Sequence, residues 1–128
     1  MSVLDDVEAI RSVDPGNMYN RVFDFPEQLT EALKLAEGWR IRPSDFVDIK
    51  NIVVIGMGGS AIGGDLVRSY LLDRLVVPFH VCRNYKLPEF VDDETMVIAS
   101  SYSGNTEETL EALDDALARK AQIAAITT

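Results

Sequence analysis

Hydrophobic positions along this chain follow two regimes. Up to about residue 50 they recur at helical spacing; from Asn51 onward short apolar runs alternate with amphipathic stretches. In the first regime, Leu4 to Val13 is a short amphipathic stretch halted by the turn signal Asp14-Pro15-Gly16. Pro26-Glu27 then opens a helix in which Leu29, Ala32, Leu33 and Ala36 keep the i, i+3, i+4, i+7 spacing, with Gly38 suited to its C′ position. Arg42-Pro43-Ser44-Asp45 breaks that pattern and leaves room for a single turn before Lys50.

In the second regime, Ile52–Ile55 reads as a strand. It leads to a helix from about Ser60 to Leu72, with Ile62, Leu66 and Tyr70 along one face. A short strand, Phe79–Cys82, follows Pro78. Strand Thr95–Ala99 then leads to a helix from about Thr106 to Arg119, and strand Gln122–Thr127 closes the sequence. The runs at 52 and 96 are apolar throughout, as strands covered on both faces by helices are. Helical crossovers imply parallel pairing and right-handed connections. The predicted fold is α/β, a three-layer α/β/α open parallel sheet of the flavodoxin-like kind. Residues 1–50 form an N-terminal helical segment expected to pack on a core of residues 51–128. Nothing follows the final strand to cover it or continue the winding, so the chain is expected to be the front part of a longer protein.

Composition narrows the classes of function. The 128 residues are 47% hydrophobic, enough for a real core. Twelve Lys and Arg against 21 Asp and Glu give a net charge of −9, with no basic cluster, so nucleic acid is excluded as the expected partner. The N-terminus has neither a basic n-region nor an apolar h-region, and no run approaches the ~20 apolar residues of a membrane span. A cytoplasmic protein with no membrane partner is the expectation. Cys82 is the sole cysteine, so neither an internal disulfide nor a cysteine-based metal site can form.

Candidate chemistry sits where two strands empty into helices. After the first comes Gly56-Met57-Gly58-Gly59-Ser60-Ala61-Ile62-Gly63-Gly64-Asp65; after the third comes Ser100-Ser101-Tyr102-Ser103-Gly104-Asn105-Thr106-Glu107-Glu108-Thr109. Hydroxyls and flexible backbone ahead of a helix N-terminus build an anion site from N–H groups and the helix dipole. Ser101, Ser103 and Thr106 offer three hydroxyls able to surround a phosphate. Ordinary capping, with Asn105 as N-cap and Glu108 three residues on, accounts for those two residues but not for the serines. Glu107 and Glu108 would repel a phosphate at the same end, so their carboxylates are expected along the helix flank.

The first loop also fits the G-x-G-x-x-A dinucleotide fingerprint, and Arg83 at the end of the next strand suits a 2′-phosphate, which keeps an NADP-binding oxidoreductase as an alternative. No Lys follows the glycines, so a Walker-type loop is excluded. His80 reads as a packed strand residue and Trp39 as a packing anchor. Asp92-Asp93-Glu94 reads as a solvated turn, and Asp65 as a sugar-hydroxyl ligand or an early-helix acid.

Gly-Met-Gly-Gly-Ser at 56–60 with Gly63-Gly64-Asp65, then Ser-Tyr-Ser-Gly-Asn-Thr-Glu-Glu-Thr at 101–109, resembles the first sugar isomerase (SIS) domain of the bifunctional phosphoglucose/phosphomannose isomerases; Phe25-Pro26-Glu27-Gln28-Leu29 is similar to that family's N-terminal region. The resemblance implies an SIS-type sheet and interconversion of glucose 6-phosphate or mannose 6-phosphate with fructose 6-phosphate. It implies that Ser101, Ser103 and Thr106 bind the sugar phosphate and that Gly59 and Ser60 touch the substrate. It also implies ring opening and an enediolate, with a carboxylate base and a histidine. In that family both lie beyond the first SIS domain, the histidine being available from a partner subunit. Neither maps onto residues 1–128, and an arginine expected shortly after the final strand is likewise absent. No metal or cofactor is implied, a homodimer is, and this chain alone is expected to bind sugar phosphate weakly without turnover. A non-catalytic phosphosugar-sensing SIS module is the other alternative.

Overall fold

A computed structural model describes residues 5–40 and 42–128, so the part of the first amphipathic stretch at Leu4 lies outside the described residues. The chain divides into two compact units, parted between residues 41 and 42.

The first unit is helical. Helix α1 spans Val7–Ser12, capped by Asp6, whose carboxylate accepts the Glu8 and Ala9 amides at 3.1 Å each. Helix α2 spans Met18–Phe23, which the hydrophobic spacing did not announce. It is held by a residue outside it: the Asp14 carboxylate accepts the Met18 and Tyr19 amides at 2.9 and 2.7 Å. Those bonds favour the ionised form and hold the Asp14 carboxyl below its ordinary value. Helix α3 spans Phe25–Glu37 with Pro26 in its first turn. Gly38 ends α3 as a right-handed C-cap, φ −78°, and not as the left-handed C′ glycine that the sequence suggested.

The second unit opens with a 3-10 turn, Pro43–Asp45, and builds one parallel sheet. Its strands are β1 (Asn51–Ile55), β2 (Phe79–Cys82), β3 (Thr95–Ser100) and β4 (Gln122–Ile126), in the order β2-β1-β3-β4. Helix α4 (Gly58–Tyr70) links β1 to β2, and α5 (Glu107–Ala118) links β3 to β4. Strand parity assigns each face. Val53, Ile55, Val97 and Ala99 pack with Ala112 and Ala116 of α5, whereas Val54 and Val81 pack with Ala61 of α4. The helices therefore lie on opposite faces, and the α/β reading of an open parallel sheet holds.

The buried face of α4 is not the expected one. Ile62, Leu66 and Tyr70 are 52, 59 and 72% exposed, and the residues against the sheet are Ala61 and Gly64. Close approach explains the reversal. A Cβ at Gly64 would lie 3.1–3.2 Å from the side chains of Val54 and Val81, so the helix seats on its smallest residues.

No helix follows β2. Residues 83–94 instead run against α5: Asp115 accepts the Leu87 amide at 3.1 Å, and Arg119 donates to the Pro88 carbonyl at 2.9 Å. Arg119 also grips Asp115 through Nε at 2.8 Å and Nη2 at 3.0 Å. The Arg119 bond holds the Asp115 carboxyl below its ordinary range. At the other end of the sheet Gln122 donates to the carbonyls of Val47 and Asp93 and accepts the Val47 amide, fastening the start of β4.

Candidate functional site

β1 continues to β2 on one side and β3 continues to β4 on the other, so the winding reverses between β1 and β3. The carboxyl ends of such a pair flank the crevice where ligands of doubly wound sheets bind. Both candidate loops leave the sheet there. The strands run in register, Ile55 beside Ala99, so the two loops start at one level. They meet at Gly56: a Cβ there would lie 2.7 Å from the Ser100 carbonyl oxygen and 3.4 Å from the Ser60 Cβ.

The serine loop brings its three expected hydroxyls together. Ser101 Oγ and Thr106 Oγ1 stand 3.1 Å apart, and Ser103 Oγ and Thr106 Oγ1 stand 3.4 Å apart. Ser101 is buried, Thr106 half-buried and Ser103 exposed, so the cluster grades from sheet to solvent. The Gly104 amide donates to the Ser101 carbonyl at 3.2 Å, and Gly104 takes φ +66°, a left-handed turn that favours glycine. Asn105 is not the N-cap of α5; Thr106 is, and its side chain makes no capping bond. The Thr106 hydroxyl faces the serines, which leaves the first-turn amides of a twelve-residue helix without a capping side chain.

Desolvation first, then the carboxylates of Glu107, Glu108 and Glu111, hold the Tyr85 hydroxyl above its ordinary value.

The glycine loop is shorter than its sequence suggests, because α4 begins at Gly58 and not near Ser60. Met57 is the N-cap, Gly58 takes φ +51°, and Gly59 and Ser60 lie in the first turn. Gly59 is exposed, with nothing within 4 Å of a Cβ built on it. Ser60 is half-buried and lines two adjoining cavities with Ser100 and Ile126. The deeper, about 270 Å³, runs along the sheet between Val54, Gly64, Phe79 and Ile98. The outer, about 210 Å³ and open to solvent, is also lined by Tyr102, Thr127 and Thr128. The two threonines line this cavity beside the serine loop, and sequence reasoning did not name them. Their only signal was their place just past the end of β4.

Arg83, the residue suited to a 2′-phosphate, is engaged. Its Nη2 is bonded to Asp65 Oδ2, and Arg68 reaches Asp65 Oδ1 at 3.4 Å. A dinucleotide phosphate would have to compete with that carboxylate, and Asp65 is committed to two arginines. His80 is exposed on the outer strand, edge-on to Phe90 at 6.0 Å, and no element brings it to the two loops. Among the described residues no group of three His, Cys, Asp or Glu could hold a metal ion. No helix of the described residues is long and apolar enough to cross a membrane.

A parallel α/β sheet with hydroxyl-rich and glycine-rich loops at its switch point places the chain in the doubly wound class. The chain belongs to the SIS domain family, whose model matches residues 45–128. It is 49% identical over 111 residues to the bifunctional phosphoglucose/phosphomannose isomerase of Caldicellulosiruptor bescii, covering 87% of this chain and 32% of that protein. It is also 49% identical over 78 residues to the enzyme of the same name from Thermoplasma acidophilum, covering 61% of this chain and 24% of that one. Among solved structures, a candidate phosphosugar isomerase from Bacillus subtilis superposes with a TM-score of 0.54 at 28% identity, covering 62% of this chain and 26% of that one. The chain thus spans about a third or less of the length of the curated relatives it matches.

Proposed function

We propose that this chain is the phosphosugar-binding part of an aldose–ketose isomerase that interconverts glucose 6-phosphate or mannose 6-phosphate with fructose 6-phosphate. The observation that carries this reading is the convergence of the Ser101, Ser103 and Thr106 hydroxyls ahead of an uncapped helix. The names of the curated relatives supply the substrate class.

In this reading Ser101, Ser103, Thr106 and the first amides of α5 hold the phosphate. Gly59 and Ser60 face the sugar from the first turn of α4, across the crevice. The phosphate carries about −1.5 to −2 charge at pH 7 and is met by neutral donors and a helix dipole, which need no counter-cation. This chain's residues bind, orient and desolvate one end of the substrate. The base and acid of proton transfer come from residues outside 1–128, so the chain alone binds weakly and turns nothing over. The same reading takes residues 1–50 as an N-terminal helical segment and 51–128 as the first SIS domain, and the working protein as a cytoplasmic homodimer.

The test is calorimetric titration of the chain with fructose 6-phosphate, repeated on Ser103→Ala with Thr106→Ala. Each lost donor to a charged phosphate costs about 1.5–3 kcal/mol. Binding by the parent chain that vanishes in the double variant is the expected result. Unchanged affinity in the double variant would move the phosphate elsewhere and end the reading.

A further inference from the structure

Helix α4 seats on the sheet through its smallest residues and turns its largest away from it. Ala61 and Gly64 are buried against Val54 of β1 and Val81 of β2, whereas Ile62, Leu66, Val67 and Tyr70 are all exposed. At 3.6 residues per turn those four and Gly63 share an arc of roughly 140° on the outward side. None of the five carries charge, and the Tyr70 hydroxyl is their one polar side-chain group. A helix of a globular protein turns such a stripe toward its core. Here the sheet has taken the opposite side. The turn that follows α4 adjoins the stripe: the Arg74 guanidinium lies over the Tyr70 ring at 5.5 Å, and Leu72 and Val76 in that turn are exposed as well.

Charge selects the occupant. The chain carries −9, so two copies repel on approach unless they meet where that charge is absent. Helix α5 presents five acids in twelve residues, Glu107, Glu108, Glu111, Asp114 and Asp115, and no base. Helix α4 has one acid and one base, Asp65 and Arg68, which pair at 3.4 Å, with Arg83 also on Asp65. A strongly charged partner finds no unpaired charge on α4 to complement. A second copy brings an equally neutral and equally apolar stripe. The stripe also fits itself in shape. Ile62, Leu66 and Tyr70 form an i, i+4, i+8 ridge, and beside it a Cβ at Gly63 would meet nothing within 4 Å. Ridges of that row interdigitate when two helices cross at about −50°.

We propose that a second copy of this chain docks on this stripe, α4 against α4 across a two-fold axis. The inference rests on the homodimer of the reading above and gives it a surface. In a two-fold contact a face meets itself, so Leu66, midway along the ridge, lies nearest its own counterpart. A face one helix wide is smaller than the ~1,600 Å² of a standard interface, so the dimer is reversible and depends on concentration.

Sedimentation equilibrium of the chain, from micromolar to near-millimolar concentration at physiological salt, tests this. It is run beside Leu66→Glu and, on α5, Leu117→Glu, a leucine of similar exposure. Circular dichroism and thermal unfolding establish that each variant folds, and Tyr70→Glu takes the place of Leu66→Glu if that chain does not. The expected result is a monomer–dimer equilibrium for the parent. Leu66→Glu removes two leucines from the contact and sets two carboxylates face to face, so it should weaken the dimer about a hundredfold or more. Leu117→Glu should leave it unchanged within about threefold, since exposed charges away from the contact are screened. A parent chain that stays monomeric overturns the proposal. A Leu66→Glu chain that dimerises as the parent does overturns the surface and leaves the homodimer to another face. An equal loss in Leu66→Glu and Leu117→Glu would trace the effect to added charge and overturn the surface too. None of these outcomes bears on the phosphate site, which the Ser103→Ala with Thr106→Ala titration decides separately.

Discussion

Alanine at Gly56 and alanine at Gly63 are the same chemical change within one motif, and the structure predicts opposite outcomes. At Gly56 the added Cβ would meet the Ser100 carbonyl oxygen at 2.7 Å, against the 3.4 Å at which ordinary contact begins. The gap has to open by about 0.7 Å, and neither partner can swing away, because the obstacle is backbone of the neighbouring strand. Overpacking of this kind costs about 1–3 kcal/mol. No left-handed φ is involved, so the cost is one of space alone. At Gly63, inside α4, a Cβ meets nothing within 4 Å, and replacing a helical glycine stabilises by about 0.5–1 kcal/mol. The two variants should therefore differ by about 1.5–4 kcal/mol. Urea unfolding followed by circular dichroism, with m unchanged, measures the difference. Gly56→Ala also spreads the serine and glycine loops. Pulling one Ser60 hydrogen bond to the sugar out of range forfeits about 0.5–1.5 kcal/mol, roughly two- to twelvefold in fructose 6-phosphate affinity. A Gly56→Ala chain as stable as the parent and binding as tightly would refute the claim that the loops meet there, as would a Gly63→Ala chain equally damaged.

Four other variants probe three further parts of the frame. Gly104→Ala forces a side chain to φ +66° and crowds the Thr127 hydroxyl, so it should cost about 1–2 kcal/mol in denaturant titration and weaken phosphate binding. The Thr109 hydroxyl is buried without a partner among the described residues, so Thr109→Val should raise stability by about 1 kcal/mol; a loss would mean that the hydroxyl is satisfied. Arg119→Ala removes the ion pair with Asp115 and the bond to Pro88 and should cost about 1–3 kcal/mol, with faster amide exchange over residues 83–94. The Asp115 carboxyl is held below its ordinary value of about 3.9, so its stabilisation is complete above that pH and is lost as pH falls through the folded-state value. Asp115→Asn should flatten that acid limb of an unfolding curve measured from pH 6 downward; an unchanged limb would assign the acid sensitivity to other groups.

Much of the sheet was legible because strands covered on both faces leave unbroken apolar runs. Phe79–Cys82 emerged with its observed bounds, since Pro78 opens it and Arg83-Asn84 end it. The serine cluster was legible too: Ser101, Ser103 and Thr106 share one short loop, so their convergence needs only local backbone geometry. What stayed hidden depends on contacts between distant residues. The seating of α4 on Ala61 and Gly64 follows from how closely the sheet lets a helix approach, and hydrophobicity pointed to Ile62, Leu66 and Tyr70 instead. Helix α2 is held by the Asp14 carboxylate, on the far side of the Pro15-Gly16 turn, which as sequence signals only a stop. Thr127 and Thr128 reach the serine loop because β3 and β4 pair in parallel, which no periodicity discloses.

The in-register pairing of β1 with β3 has a consequence for how such a crevice can change. The two strands at its floor lie one interstrand spacing apart, about 4.8 Å, set by backbone hydrogen bonds that no side chain controls. Loop substitutions leave that gauge untouched. On the phosphosugar reading proposed above, a shift in preference between epimeric sugars is written in the reach and polarity of the rim residues, while the strand spacing beneath the serine loop stays the same. Diversification of substrate on this scaffold is thus a matter of short steps at few positions, with the foundation left standing.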